Sequence, residues 1–415
     1  MRILNLSSLY PPNVVGGAEL GLQTMSEAMA AAGHDLHVVT LQPPQGQGAP
    51  LAKGGGPVTV HPVPLANIYW PFDSVGGRRS AARRALWHGI DTANGVMAQR
   101  VERIVRAVRP DIVLTHNLQG FSTAVMPAVK RVGVPLVHVL HDYALLCPQT
   151  TLWRNGRGCG FQSERCTSCR VLTAPRRLHL ASADGVIGVS KAVLELHRAH
   201  GLFANRPAAV IYNALKPALE IRTQPPDRSD DDIFTLGYLG RVERSKGVET
   251  LLEAARQLEQ GGARFRLLIA GRGDPDYLLE LRRRWPLASV EYLGFVDASG
   301  FLRSIDVLVF PSEWLEALGN GVFEAFSQGV PVIGANSGGI PETIDDGVCG
   351  FVFDAGNAGQ IVERMRRLID DRDLRRTMGA AALRKAQQYT APRRAAEYLR
   401  FLEQIVQVWR PGRAA

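Results

Sequence analysis

Four side chains in the second half of the chain have the types and spacing to hold an anion and a polyol. In GYLGRVERSKGVETLLEA (237–254), Arg241 and Lys246 follow an apolar run and precede a helical pattern. Two cations in a strand-to-helix turn suit a diphosphate, because the helix N-terminus adds its own unpaired N–H groups. The pair also reads as two ordinary surface charges. In FPSEWLEALGNGVFEAFSQGVPVIGANSGGIPETI (310–344), seven residues separate Glu316 from Glu324. Gly319 and Gly321 permit a tight loop and a close approach of backbone to a ligand. A helix is expected to start near Val322, with Glu324 in its first turn and Glu316 in the preceding loop. The amides of 319–322, Asn320 included, would face an anion while the carboxylates accept hydrogen bonds from sugar or ribose hydroxyls. A first-turn carboxylate also complements the helix dipole, so Glu324 has a purely structural reading as well.

A second concentration of chemistry is CPQTTLWRNGRGCGFQSERCTSC (147–169), which holds four of the five cysteines, Cys147, Cys159, Cys166 and Cys169. Its C-x2-C half has the spacing of a zinc knuckle, and four thiolates suit a closed, structural zinc with no open position for catalysis. Unligated thiols, an iron–sulfur cluster and disulfides are the other readings. The N-terminus lacks the apolar region and cleavage site of a signal peptide, so a cytoplasmic location is expected, where structural disulfides are rare.

These groups need a scaffold. At 415 residues, 46% of them hydrophobic and 21% charged, two globular domains of about 200 residues each are expected. Continuously apolar runs, among them RILNLS (2–7), DIVLT (111–115), PLVHVL (135–140), FTLGYLG (234–240) and DVLVF (306–310), alternate with helical patterns such as 18–33 and 247–260. That alternation reads as parallel sheets buried on both faces by helices. The segment 216–232, with three prolines and then an acidic stretch, reads as a linker. The expected units are therefore 1–215, carrying the Cys-rich insertion 147–169, and 233–390. A last helix in 391–415 is expected to pack back on the first unit.

The formal charge is +9, but the arginines are scattered and, in RMRRLIDDRDLRR (364–376), interleaved with acids as on a solvated helix face. No arginine run alternates with aromatics able to stack on bases, so nucleic acid is not an expected partner. A phosphate-rich substrate or an anionic membrane fits better. Arg78, Arg79, Arg83 and Arg84, with Trp87 nearby, are read either as such a peripheral membrane contact or as a solvated helix. Glycine patterns for dinucleotides and the P-loop are absent: Gly16-Gly17 is a lone pair before a helix, and GNGVFE (319–324) ends in glutamate.

Taken together, GRVERSKG, the E-x7-E pair and GVPVIGANSGGIPE resemble the retaining glycosyltransferases of family 4. The N-terminal YPPNVVGGAE, the strand-end His141 and VIYNAL (210–215) extend the likeness along essentially the whole chain. The resemblance implies a GT-B fold, two Rossmann-like domains facing across a cleft, with a nucleotide-diphosphate sugar donor bound mainly by the second. It implies a diphosphate clamp at Arg241 and Lys246, ribose on Glu324 and the donor sugar on Glu316. Gly16 and Gly17 would form the loop near donor and acceptor, and His141 would lie near the reacting sugar; a satisfied strand-end histidine is the alternative for the last. EALGNG stands where family members more often show EGFG, which leaves the contacts of Leu318 and Asn320 open. The acceptor would be a glycan or lipid-linked, in cell-surface polysaccharide or glycolipid synthesis at the inner face of the membrane. No catalytic metal is expected, since Asp230–Asp232 fall in the linker. A nucleotide-sugar epimerase or phosphorylase, or a basic binding protein without catalysis, are the competing functions.

Overall fold

A computed structural model of the chain describes residues 1–45, 56–72, 79–154, 156–159, 167–226 and 233–409. The chain divides into two compact units: Met1–Thr150 with Glu164–Lys216 and Ala391–Ala415, and Thr151–Ser163 with Pro217–Thr390. Each is a parallel sheet flanked by helices.

The first sheet contains β1 (Arg2–Ser7), β2 (Asp35–Gln42), β3 (Val58–Pro64), β4 (Ile112–Thr115), β5 (Leu136–Leu140), β8 (Gly185–Gly188) and β9 (Ala208–Val210), in the order β3-β2-β1-β4-β5-β8-β9. A two-residue-stranded hairpin, β6 (Trp153–Arg154) and β7 (Arg157–Gly158), stands apart from it. All residues of β4, β5 and β8 are buried, which is why those runs are apolar throughout rather than alternating. The helix Ala391–Val408 packs on the helix Gly17–Ala31. Its Phe401 and Ile405 press on β8 at Gly185, where a Cβ would come within 2.9 Å of Ile405. A side chain there would push the C-terminal helix away.

The second sheet contains β10 (Thr235–Leu239), β11 (Arg266–Ala270), β12 (Val290–Gly294), β13 (Val307–Phe310), β14 (Val332–Ala335) and β15 (Gly350–Phe353), in the order β12-β11-β10-β13-β14-β15. Both sheets thus share the 3-2-1-4-5 winding of a mononucleotide-binding fold. Each reverses its order between its first and fourth strands, β1 and β4 in one, β10 and β13 in the other.

Three sequence expectations differ from the structure. The helix after Glu316 runs Asn320–Ser327 rather than starting near Val322, because Gly319 takes φ 86° as its N-cap and lets helical backbone begin at once. Glu324 consequently lies in the second turn, beyond the reach of a first-turn dipole effect. The described part of the segment read as a linker is tied down. The Arg222 amide donates to Ser327 O (2.9 Å), Gln328 Nε2 donates to Glu220 O (3.0 Å), and Gly329 and Gly379 leave room for Pro225. Within the Cys-rich stretch, Thr151–Ser163 groups with the second unit rather than the first.

Phe323 holds the 320–327 helix in place. It is 1% exposed and stacks on Tyr389 with ring centroids 4.6 Å apart and planes 8° from parallel. Phe323→Ala should therefore cost about 3–5 kcal/mol. Equilibrium urea unfolding checks this, and a loss under about 1 kcal/mol would mean that other contacts hold the helix.

Candidate active site

In open parallel sheets, ligands bind beyond the carboxyl ends of the strands where the winding reverses. In the second unit that place is the gap between β10 and β13, and the chain leaving each strand brings one predicted residue to it. Lys246 follows β10 and Glu316 follows β13. Lys246 Nζ donates to Glu316 Oε1 at 2.6 Å, and the Ser312 hydroxyl donates to the same oxygen at 2.8 Å. The side chains of Lys246 and Glu316 keep only 14% and 10% of their surface exposed, so each is the other's main compensation for lost water. Lys246 Nζ also sits 4.1 Å from the ring centroid of Trp314, a cation–π contact. The indole N–H of Trp314 is buried without an acceptor among the described residues.

Backbone contacts lock the two loops together. The amides of Glu313 and Trp314 both donate to Ser245 O (3.0 and 3.1 Å), and Thr250 Oγ1 donates to Glu313 (2.6 Å). Gly339 N donates to Glu316 O (2.8 Å). Gly247 and Gly338 have φ +68° and +58°, and a Cβ on either would lie about 2 Å from a carbonyl oxygen, 1.9 Å from that of Pro311 and 2.0 Å from that of Glu316. The turn carrying Lys246, and the turn after β14 that covers Glu316, thus require glycine for both conformation and space.

The other predicted residues of this unit fall nearby in different roles. Arg241 is exposed and its guanidinium is 3.3 Å from Glu243, so it is not part of the buried pair. The hydroxyl of Tyr238 donates to Arg241 O (2.6 Å) and holds the turn. Glu324 is buried, 6% exposed. Gly321 faces the Phe310 ring, where a Cβ would come within 2.9 Å, and the Val322 amide donates to Gly319 O (3.0 Å). The glycines therefore serve the packing of the helix onto β13, and the Val322 amide, expected to face an anion, is engaged within the turn.

Gly16, Gly17 and His141 lie in the first unit. The Gly16 amide donates to Glu19 Oε2 (2.9 Å), so a buried carboxylate of the helix Gly17–Ala31 fixes the glycine loop. His141, at the end of β5, lines a cavity of about 590 Å³ together with Glu19, Asp91, His116, Asp142 and Arg176. Arg176 donates to Ala144 O (3.0 Å). Asp91 accepts from the Gly120 amide (2.7 Å) and Asp142 from the Ala144 amide (2.8 Å). Burial raises the Asp91 carboxyl to about 7 and that of Asp142 to about 6, while it lowers His141 to about 4 and His138 to about 3. The cavity thus combines neutral imidazoles with carboxyls that titrate near neutrality, a lining suited to hydroxyl groups.

Sequence reasoning missed Trp314, Ser312, Asn5, His116 and the Asp91–Arg176 group. Asn5 alone left a signal, a polar residue inside the apolar run RILNLS. Of the four cysteines, Cys166 lies outside the described residues. Cys147 is buried, Cys159 follows the β6–β7 hairpin and Cys169 lies in the helix Thr167–Arg177. Among the described residues no three His, Cys, Asp or Glu side chains gather as a metal site requires. None of the described helices is long and apolar enough to cross a membrane.

Comparison with known proteins covers both units. Residues 16–214 match the model "Glycosyl transferase 4-like domain" and residues 221–385 match "Glycosyl transferases group 1". An uncharacterized 42.6 kDa protein in the cps region of Klebsiella pneumoniae is 28% identical over 82% of this chain and 87% of its own. Among solved structures, sucrose-phosphate synthase from Thermosynechococcus elongatus superposes with a TM-score of 0.75 at 18% identity, covering 99% of this chain and 100% of that one. HepE of Anabaena, solved in complex with UDP, gives 0.70 at 20% identity, covering 97% and 100%. The chain is a group 1 glycosyltransferase with a family-4-like first domain, built on the GT-B fold.

Proposed function

We propose that this enzyme transfers a sugar, with retention of anomeric configuration, from a nucleotide-diphosphate sugar to a glycan or lipid-linked acceptor in cell-surface polysaccharide synthesis. One observation carries the reading: the largely buried Lys246–Glu316 pair at the point where the second sheet reverses its order. A cation held there, with its anion replaceable by a ligand, is suited to the diphosphate of a donor. HepE binds UDP and, in a further structure, UDP-glucose, which makes a uridine nucleotide the first donor to test. The cps-region relative supports a polysaccharide product.

The chemistry follows from charge. As the bond between the anomeric carbon and the phosphate oxygen breaks, negative charge grows on the nucleoside diphosphate. Lys246, held by Trp314 and by a Glu316 that Ser312 in turn fixes, would stabilise that charge without reorganising, with Arg241 as the second cation of the clamp. An acceptor oxygen then bonds to the anomeric carbon on the same face, and its proton passes to the leaving phosphate. No side-chain nucleophile is required, in contrast to the two-carboxylate scheme of most retaining glycosidases. Glu324 would take the ribose hydroxyls. The first-unit cavity would take the acceptor. In the same stretch of chain as its Arg176, Val171, Leu172 and Leu178 are exposed apolar residues, which suit a lipid-linked acceptor at an anionic bilayer. A zinc on the four cysteines remains our reading of the C-x2-C spacing, and metal analysis of the purified protein should find about one zinc per chain.

Incubation with UDP-, GDP- and ADP-sugars and an undecaprenyl-diphosphate-linked glycan, with or without anionic vesicles, tests the reaction. The expected product is a lengthened acceptor whose new linkage keeps the donor's anomeric configuration by proton NMR. Inversion, or donor epimerisation without acceptor, would overturn it. Lys246→Ala and Glu324→Ala should remain folded and lower kcat/KM by about a hundredfold or more, the scale of losing a charged contact to the transition state. Full activity in either variant would sink the site assignment.

A further inference from the structure

Asn5 stands at the centre of β1 with no exposed surface. A primary amide buried in an apolar strand is costly unless both of its ends are hydrogen-bonded, and here both are. Its Nδ2 donates to Ser26 Oγ on the helix Gly17–Ala31 (3.2 Å). Its Oδ1 is 3.0 Å from His116 Nε2, across the β1–β4 reversal of the first sheet. His116 is 5% exposed, and its other nitrogen, Nδ1, is 2.9 Å from His141 Nε2. The chain Ser26–Asn5–His116–His141 thus runs from the core to the cavity wall.

The direction of each hydrogen bond in this chain follows from the first. With Nδ2 turned to Ser26, Asn5 offers His116 only an acceptor, so His116 Nε2 carries the proton. Burial keeps both His116 and His141 below their ordinary protonation range, so each ring has a single N–H. His116 Nδ1 is then bare and must accept, and His141 Nε2 must donate. His138, the remaining imidazole close by, is engaged separately with Thr115 Oγ1 (2.9 Å) and stacked on Phe203.

We propose that Asn5 is a positioning residue for sugar transfer: through His116 it fixes His141 as the tautomer protonated on Nε2, leaving Nδ1 as a hydrogen-bond acceptor for a substrate hydroxyl. The proposal rests on the sugar-transfer reading for its function, but the tautomer itself does not depend on it. A bare ring nitrogen accepts from a hydroxyl and repels a phosphate oxygen, so the group recognised at His141 is a hydroxyl of the donor sugar or the acceptor, not the diphosphate. The opposite tautomer would present an N–H, which can donate to a hydroxyl or to a phosphate oxygen alike, and the discrimination would be lost.

Long-range proton–nitrogen NMR on 15N-histidine-labelled full-length protein, without substrate, reads the tautomers directly. The expected pattern at neutral pH is Nε2 protonated and Nδ1 bare on both His116 and His141. A protonated Nδ1 on His141 overturns the proposal. Asn5→Leu removes the acceptor, and the His141 pattern should become mixed. With UDP-glucose as donor probe, its kcat should fall by about tenfold while the Kd for UDP changes by less than about threefold. Asn5→Asp, which restores an acceptor toward His116, should recover most of the lost kcat. A kcat within about twofold of wild type in folded Asn5→Leu overturns the positioning role. Should Asn5→Leu not fold, Ser26→Ala, which frees the amide to turn over, is expected to give the same mixed pattern, and an unchanged pattern there counts against the relay. If the wild-type protein turns over no donor, the transfer reading fails while the NMR pattern still decides the tautomer.

Discussion

A lysine ammonium taken out of water needs an anion beside it, and in this protein that requirement organises the second unit. Lys246 leaves β10 and Glu316 leaves β13, and their contact spans the place where the sheet reverses its order. Neither side chain would be stable there alone, because removing one partner of a buried pair strands the other charge. Gly247 lets the turn at Lys246 approach Pro311, the Ser245 carbonyl stitches that turn to 313–314, and Gly338 lets the turn after β14 close over Glu316. Even the packing of Phe323 on Tyr389 serves this point, since it seats the helix that follows Glu316 and carries Glu324. A ligand phosphate arriving at Lys246 would compete with Glu316 for the ammonium. On the proposed reading the ammonium is thus already held in place before a donor arrives, which is the condition for stabilising charge that develops later.

The first unit meets the same topological point with a different chemistry. Its reversal lies between β1 and β4, and there the pairing is neutral: an amide, two imidazoles and a serine hydroxyl in sequence. A cation at one reversal and a hydrogen-bond relay at the other match the two kinds of group in glycosyl transfer, a charged leaving group and neutral hydroxyls. The duplication of one winding order thus carries two unlike sets of side chains, and these rather than the fold make the difference.

Much of this organisation was legible beforehand because burial on both faces writes an unbroken apolar run. β1, β4, β5, β10 and β13 all announce themselves that way. β2 and β3 do not stand out equally, since His37, His61, Pro62 and Pro64 interrupt them. The strand-end rule points to Arg241 and Lys246, the seven-residue spacing to Glu316 and Glu324, and the family resemblance to His141. What local pattern could not supply was anything created by distant contact. The spacing puts Glu324 in the first turn and the structure puts it in the second, because the left-handed backbone of Gly319 cannot be read from the sequence. The prolines of 217–226 read as a tether, although Pro225 fits against Gly329 and Gly379, both more than a hundred residues away. Trp314 and Ser312 are unremarkable in SEWLE until the fold sets them around Lys246. Asn5 and His116 are 111 positions apart and become partners only when β1 and β4 pair.

The most direct measurement is a crystal structure of the full chain with UDP bound. The diphosphate is expected within hydrogen-bond reach of Lys246 Nζ, with the ribose hydroxyls on Glu324. A nucleotide seated instead in the cavity lined by His141, with Lys246 untouched and still closed on Glu316, would contradict the assignment of the donor site.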